Sequence, residues 1–157
     1  MDSTEKERVV DRFPRKPDQL LAVLIALQDN NPQNYLSEED LDLAARHVNV
    51  TKARVYGVTG YYSMLSTVPR GRHILRVCRS PVCRMVGGDA VESVLVEQLK
   101  VDPGGTTADQ AVTLEHTECL GRCHQAPVIM IDATVHGPVD GKKATELAGR
   151  LQQGERS

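Results

Sequence analysis

The stretch HILRVCRSPVC, residues 73–83, is where the pattern of the chain changes. Residues 73–77 have the β-branched and apolar content of a strand, and that run ends on Cys78. Ser80-Pro81 then reads as a helix N-cap followed by proline at the first helical position, which puts Cys83 in the first turn of the helix. Strand, short loop and helix therefore follow one another directly, with two cysteines at the junction.

On the C-terminal side, the helix opened by Pro81 is expected to run to about Lys100, with Val82, Met85, Val86, Val91, Val94 and Leu95 apolar. Gly87-Gly88 interrupts it. Each helix-interior glycine costs about 1 kcal/mol against alanine, so either the helix bends there or something packs closely against its backbone. A turn at Asp102-Pro103-Gly104-Gly105 precedes a second strand at residues 112–116; a third follows at 128–131, and Val135-His136-Gly137 returns as a hairpin. Residues 142–151 close with a helix. The order β-α-β-β-α over residues 71–157 predicts an α+β sheet domain.

The N-terminal side is helical. Leu20, Val23, Leu24 and Leu27 follow the i, i+3, i+4, i+7 pattern until Asn30-Asn31-Pro32. Ser37 and Asp40 form a capping-box signature ahead of the stripe Leu41, Ala44, Ala45 and Val48. Thr51 caps a third helix, in which Val55, Val58, Thr59 and Tyr62 share a face, and the stop falls near Pro69-Arg70-Gly71. Residues 17–70 thus form a helical segment. Residues 1–16 are charged, balanced in sign and without apolar period, and are expected as a mobile arm.

Composition narrows the function classes. The chain has 157 residues, 40% of them apolar and 25% charged, which is globular rather than disordered. A net charge of -2 gives no general field for nucleic acid or an anionic membrane. The longest apolar run, Leu20 to Leu27, is far short of the roughly 20 residues that span a bilayer. The acidic residues before it and Gln28-Asp29-Asn30 after it do not make a signal peptide, so a cytoplasmic location is expected. There are no tryptophans, four tyrosines and one phenylalanine, so the core has to be built from Val, Leu, Ile and Ala.

Four cysteines in a reducing compartment read as metal ligands or redox groups rather than structural disulfides. They fall as Cys78-x4-Cys83 and Cys119-x3-Cys123, each pair in a loop beside a strand end. Two chelating pairs match a two-iron core, in which each iron takes two protein thiolates and shares two bridging sulfides. Zinc knuckles usually space their cysteines as C-x2-C, a poor match on both sides, though a zinc-stabilised scaffold stays open. A dithiol oxidoreductase would need C-x-x-C, which neither pair has. The oxidised cluster would carry about -2 and the reduced one about -3. Arg70, Arg72, Arg76, Arg79 and Arg84 flank the first pair and Arg122 lies within the second, with Arg79 and Arg122 the best candidates to offset that charge.

The run Leu20 to Cys83, with YLSEEDLDLAARHVNVTKARVYGVTGYYSMLSTVPRGRHILRVC (residues 35–78) at its centre, resembles the thioredoxin-like 2Fe-2S ferredoxin subunit family, and the resemblance continues through TECLGRCHQAPVIMID (residues 117–132) to cover nearly the whole chain after residue 17. This family includes the 24 kDa subunit of NADH:quinone oxidoreductase and the gamma subunit of NAD-dependent formate dehydrogenase. The resemblance implies an N-terminal helical segment before a thioredoxin-like domain, and one 2Fe-2S cluster on Cys78, Cys83, Cys119 and Cys123. It also implies a flavin (FMN) and NAD-binding partner subunit with a further iron-sulfur or molybdenum catalytic subunit, the chain itself carrying electrons without bond chemistry. Arg79 in Cys78-Arg79-Ser80-Pro81-Val82-Cys83 leans toward the formate dehydrogenase branch over the respiratory or hydrogenase types. Gly60-Tyr61-Tyr62-Ser63 departs from the family's usual Phe-Tyr before Ser; both tyrosines are expected in the core of the third helix. His124 is expected as a neighbour of the cluster or at the surface, since four thiolates satisfy both irons. Ala126-Pro127 is the candidate for the cis-proline that thioredoxin-like folds often carry.

Overall fold

The computed structural model describes residues 3–154. Contacts divide the chain between Arg70 and Gly71 into two compact units.

The first unit packs four helices, α1 (Ser3–Val10), α2 (Leu20–Asp29), α3 (Glu38–His47) and α4 (Lys52–Tyr61). The stripes read from sequence are the buried faces: Leu20, Val23, Leu24 and Leu27 of α2 meet Leu41, Ala44 and Ala45 of α3 and Val55 of α4. Ser37 caps α3 as half of a full capping box, with its hydroxyl accepting from the Asp40 amide and the Asp40 carboxylate accepting from the Ser37 amide at 2.8 Å. Buried Gln28 ties down the segment after α4. Its amide donates to the Met64 carbonyl at 3.0 Å and its oxygen accepts from the Ser66 amide at 2.8 Å.

Three expectations are corrected in this unit. The third helix, expected to stop near Pro69-Arg70-Gly71, ends at Tyr61, where the C-cap Tyr62 turns to extended backbone (φ -87°, ψ 110°). Residues 3–10, read as part of a mobile arm, form helix α1, with Val9 and Val10 buried in the core of the unit. The arm has too few apolar residues to show a period, and what docks it is distant in sequence. Lys6 Nζ lies 2.9 Å from an oxygen of Asp40, which is 1% exposed, and 3.1 Å from Glu39. Tyr61, read as core, is 81% exposed, while Tyr62 is half-buried. Tyr61 sits about 240° round the helix from Val55, off the face that Val55 and Thr59 bury.

Lys6→Met should therefore destabilise the first unit by about 2 kcal/mol, because it leaves a buried carboxylate without its cation. Burial pulls the Lys6 pKa down, but the hydrogen bonds to Asp40 and Glu39 outweigh it and raise the pKa above its usual 10.5. The contribution of the pair is thus fully present below pH 10.5 and lost as pH rises through the folded value. Urea titrations of both chains at neutral and strongly alkaline pH should show the gap at the first and its narrowing at the second; equal midpoints at neutral pH would contradict the role given to α1.

The second unit is a four-stranded sheet with helices: β1 (His73–Cys78), α5 (Pro81–Met85), α6 (Gly88–Leu99), β2 (Val112–Thr117), β3 (Ile129–Ile131), β4 (Thr134–His136) and α7 (Gly141–Gln152). The strand order is β2-β1-β3-β4, with β1 parallel to β2 and antiparallel to β3. Leu75 stands beside Leu114 on one side and Ile131 on the other. Side chains alternate faces along a strand, so Leu75, Val77, Val112, Leu114, Ile129 and Ile131 share the face that packs on Val91, Leu95 and Leu99 of α6 and Ala144, Leu147 and Leu151 of α7. The largest fully buried side chains of both units are Leu, Ile and Val. No helix among the described residues is long and apolar enough to cross a membrane.

The helix expected over residues 81–100 is two helices, α5 and α6. Gly87 breaks it in the left-handed region at φ +103°, and Gly88 packs so closely that an added Cβ would lie 2.7 Å from the Cys83 carbonyl oxygen. Both alternatives left open by the Gly87-Gly88 pair hold at once, one at each glycine.

Candidate metal centre

Cys78 is the last residue of β1, and Cys83 lies in the single short helix α5 that Pro81 opens. The central strand and the start of α5 thus hold two thiols in the interior, at 2% and 1% exposure. Ser80 stands at the N-cap of α5, yet its hydroxyl makes no cap bond. Instead it accepts from the Cys78 thiol at 3.5 Å, and would donate to Sγ once that thiol is ionised. Cys119 and Cys123 lie in the loop after β2, both exposed, with their sulfurs 3.6 Å apart. Gly121 turns this loop at φ +72°, and its amide donates to Cys119 Sγ at 3.5 Å.

The two loops meet. Leu120, between the second pair, packs with Ala126 and Val135 against Cys78, Cys83 and Val128. The Leu120 backbone favours the thiolate of Cys78 and the Val128 backbone that of Cys83. Burial works to raise the Cys78 pKa, and the hydrogen bonds with Ser80, Leu120 and Cys83 outweigh it, so the net direction is down. Burial dominates at Cys83 and raises it. Cys123 is raised by its hydrogen bond to Cys119 and by charge on Cys119, and to a smaller degree by charge on Cys83 and Cys78, so all four thiols share one electrostatic neighbourhood.

The arrangement is two pairs. Among the described residues, no three His, Cys, Asp or Glu side chains are gathered as a ligand group around one point. A single tetrahedral zinc takes four ligands around one centre, whereas a two-iron core takes two thiolates at each of two centres. The donor set suits the second case: four sulfurs in two chelating pairs, with the Gly121 amide donating to Cys119 and the Ser80 hydroxyl 3.5 Å from Cys78, groups of the kind that stabilise sulfur-borne negative charge.

Ser80, Leu120 and Val128 are the functional groups that sequence reasoning missed. Ser80 was visible only as a cap, and a backbone amide has no signature of its own. Of the arginines offered to offset the cluster charge, three have partners elsewhere. Arg76 pairs with Glu115 at 3.1 Å and Arg84 with Asp89 at 3.1 Å, while Arg70 is buried in the first unit, donating to the Asn34 carbonyl at 2.8 Å. Arg122 reaches the Gln125 side chain at 3.4 Å, and Arg79 is exposed beside Cys78. His124 lies at the surface. The Ala126–Pro127 peptide is cis, as is Gly137–Pro138, for which there was no expectation.

The chain is similar in sequence to some known proteins and in fold to others. The HndA subunit of the NADP-reducing hydrogenase of Solidesulfovibrio fructosivorans is 33% identical over 86% of this chain and 78% of that protein. A subunit of the NADH-quinone oxidoreductase of Mycobacterium bovis is 32% identical over 94% of this chain, which spans 58% of that protein's length. Among solved structures, a chain of the NAD+-reducing NiFe hydrogenase in the air-oxidised state shares the fold at a TM-score of 0.77 and 20% identity, over 89% of this chain and 24% of that one. The family model for the thioredoxin-like 2Fe-2S ferredoxins matches residues 6–152, nearly the whole of both units. Strand order, paired thiols and sequence all lead to one assignment: this chain belongs to the thioredoxin-like 2Fe-2S ferredoxin family.

Proposed function

We propose that this chain is an electron-transfer subunit of a multi-subunit NAD-linked oxidoreductase, holding one 2Fe-2S cluster on Cys78, Cys83, Cys119 and Cys123 beside the flavin of a partner subunit. The observation that carries this reading is the division of the thiols into a buried and an exposed pair, with the Gly121 amide donating to Cys119 and the Ser80 hydroxyl 3.5 Å from Cys78. When bound, the cluster takes up and returns one electron at a time.

The rest is work for the chain's own residues. The Ser80 hydroxyl, the Gly121 amide and the Leu120 and Val128 backbone favour negative charge on sulfur, and so the more negative, reduced state. Leu120, Ala126, Val128 and Val135 exclude water from the Cys78 and Cys83 side. The Cys119 and Cys123 side stays open, as electron exchange with a partner requires. On and just after α5, around Cys83, Val82, Met85 and Val86 are exposed, an apolar surface suited to cover by the flavin-bearing protein.

The names of the relatives support a parent enzyme of the NADH-quinone oxidoreductase or NAD(P)-linked hydrogenase type. The finer assignment, the gamma subunit of an NAD-linked formate dehydrogenase with a molybdenum-bearing catalytic subunit, rests on Arg79 between Cys78 and Ser80. Affinity purification from the cells that make the chain tests both levels. A flavin-bearing subunit should co-purify, and NADH should reduce the chain only in its presence. A molybdenum subunit in the same complex supports formate oxidation; a hydrogenase or membrane arm replaces that reading. A chain that purifies without any flavoprotein, and that NADH plus the flavoprotein fails to reduce, would overturn the function.

A further inference from the structure

We propose that, before the cluster is loaded, Cys119 and Cys123 close a reversible intrachain disulfide that keeps the chain from accepting it. The two sulfurs stand 3.6 Å apart and both residues are exposed, whereas Cys78 and Cys83 are 2% and 1% exposed. A disulfide needs a sulfur separation of about 2.05 Å, which side-chain rotation in a surface loop can supply. Cys78 and Cys83 pack in one buried cluster, so what sets the exposed pair apart is access.

The co-reactant is a small disulfide of the glutathione class. The thiolate of one cysteine attacks it, giving a mixed disulfide and releasing one small thiol; the second cysteine then displaces the other. Two protein thiols and one small disulfide become one protein disulfide and two small thiols. Two electrons and two protons pass to the small molecule. A disulfide sulfur is not a thiolate ligand, so closing this bond removes half of the proposed ligand set, and a reductant restores it. The disulfide itself stands on geometry alone, while its effect on loading rests on the ligand reading above.

The test uses the full-length, cluster-free chain, with its secondary structure checked by circular dichroism. It is equilibrated with oxidised glutathione, quenched with acid, alkylated and digested with trypsin. Cleavage after Arg122 separates the two cysteines, so the bond should appear as peptide 101–122 linked to peptide 123–142. Peptides 77–79 and 80–84, carrying Cys78 and Cys83, should be recovered alkylated. The oxidised chain should then fail to take up ferrous iron and sulfide until dithiothreitol is added. Single glutathione adducts on Cys119 and Cys123, a link between peptides 77–79 and 80–84 forming first, or random pairing in a folded chain would overturn the disulfide. Equal uptake by the oxidised and reduced chains would overturn the lock. If the disulfide forms but neither state takes up iron, the ligand reading fails and the lock with it, while the bond remains.

Discussion

A Cys78→Ser chain purified anaerobically should lose the visible absorption and the reduced-state paramagnetic signal of the wild type, and should lose stability in its second unit. Cys78 is the position where the largest effect is expected. It ends the central strand, is 2% exposed, and has its thiolate favoured by the Ser80 hydroxyl and the Ser80 and Leu120 backbone. A serine hydroxyl at that place is a hard, weakly acidic ligand facing donors arranged for sulfur. Because cluster binding and folding are coupled, removing one ligand at the buried end should cost about 3 kcal/mol or more of holo stability. Ser80→Ala separates ligation from tuning: it should keep the cluster and lower its midpoint potential by removing one donor to sulfur. A Cys78→Ser chain with wild-type spectra would show that the ligand set is wrong.

Gly88→Ala should give the second large effect, and competing magnitudes decide its sign. Gly88 is the first residue of α6, so helix propensity favours alanine there by less than the roughly 1 kcal/mol of an interior position. The new Cβ, however, would lie 2.7 Å from the Cys83 carbonyl oxygen and 3.0 Å from its carbon, both backbone atoms with little freedom to yield. Overpacking of this kind costs about 1–3 kcal/mol, so the net effect should be destabilising by about 1–2 kcal/mol. It should also push α5 away from α6, moving Cys83 and making the cluster easier to remove with a chelator. Gly149→Ala in α7 is the control, because nothing lies within 4 Å of its would-be Cβ; there the propensity gain should appear unopposed. A Gly88→Ala chain as stable as wild type, with unchanged cluster lability, would contradict the contact.

How much could be read from residues alone depended on the range of the interaction. The Ser37–Asp40 capping box, the α2 and α3 stripes and the strand ending on Cys78 are local patterns, and they appear where the sequence places them. The docking of α1 through Lys6 and Asp40 joins residues far apart in sequence and leaves no period in the first sixteen residues. The pairing of Arg76 with Glu115 became visible only once β1 and β2 were parallel neighbours in register. Two adjacent glycines announced a break, but only the fold shows that Gly88 is there to let Cys83 come close. At the candidate site, the four thiols and their pairing were legible from spacing. The Gly121 amide that points at Cys119 was not, because every residue except proline carries one.

The most direct test of the central claim is metal and sulfide analysis of the anaerobically purified chain, with electron paramagnetic resonance of the dithionite-reduced form. Two irons and two acid-labile sulfides per chain, visible absorption, and a signal that appears only on reduction are expected. A colourless chain holding one zinc and no sulfide would contradict it.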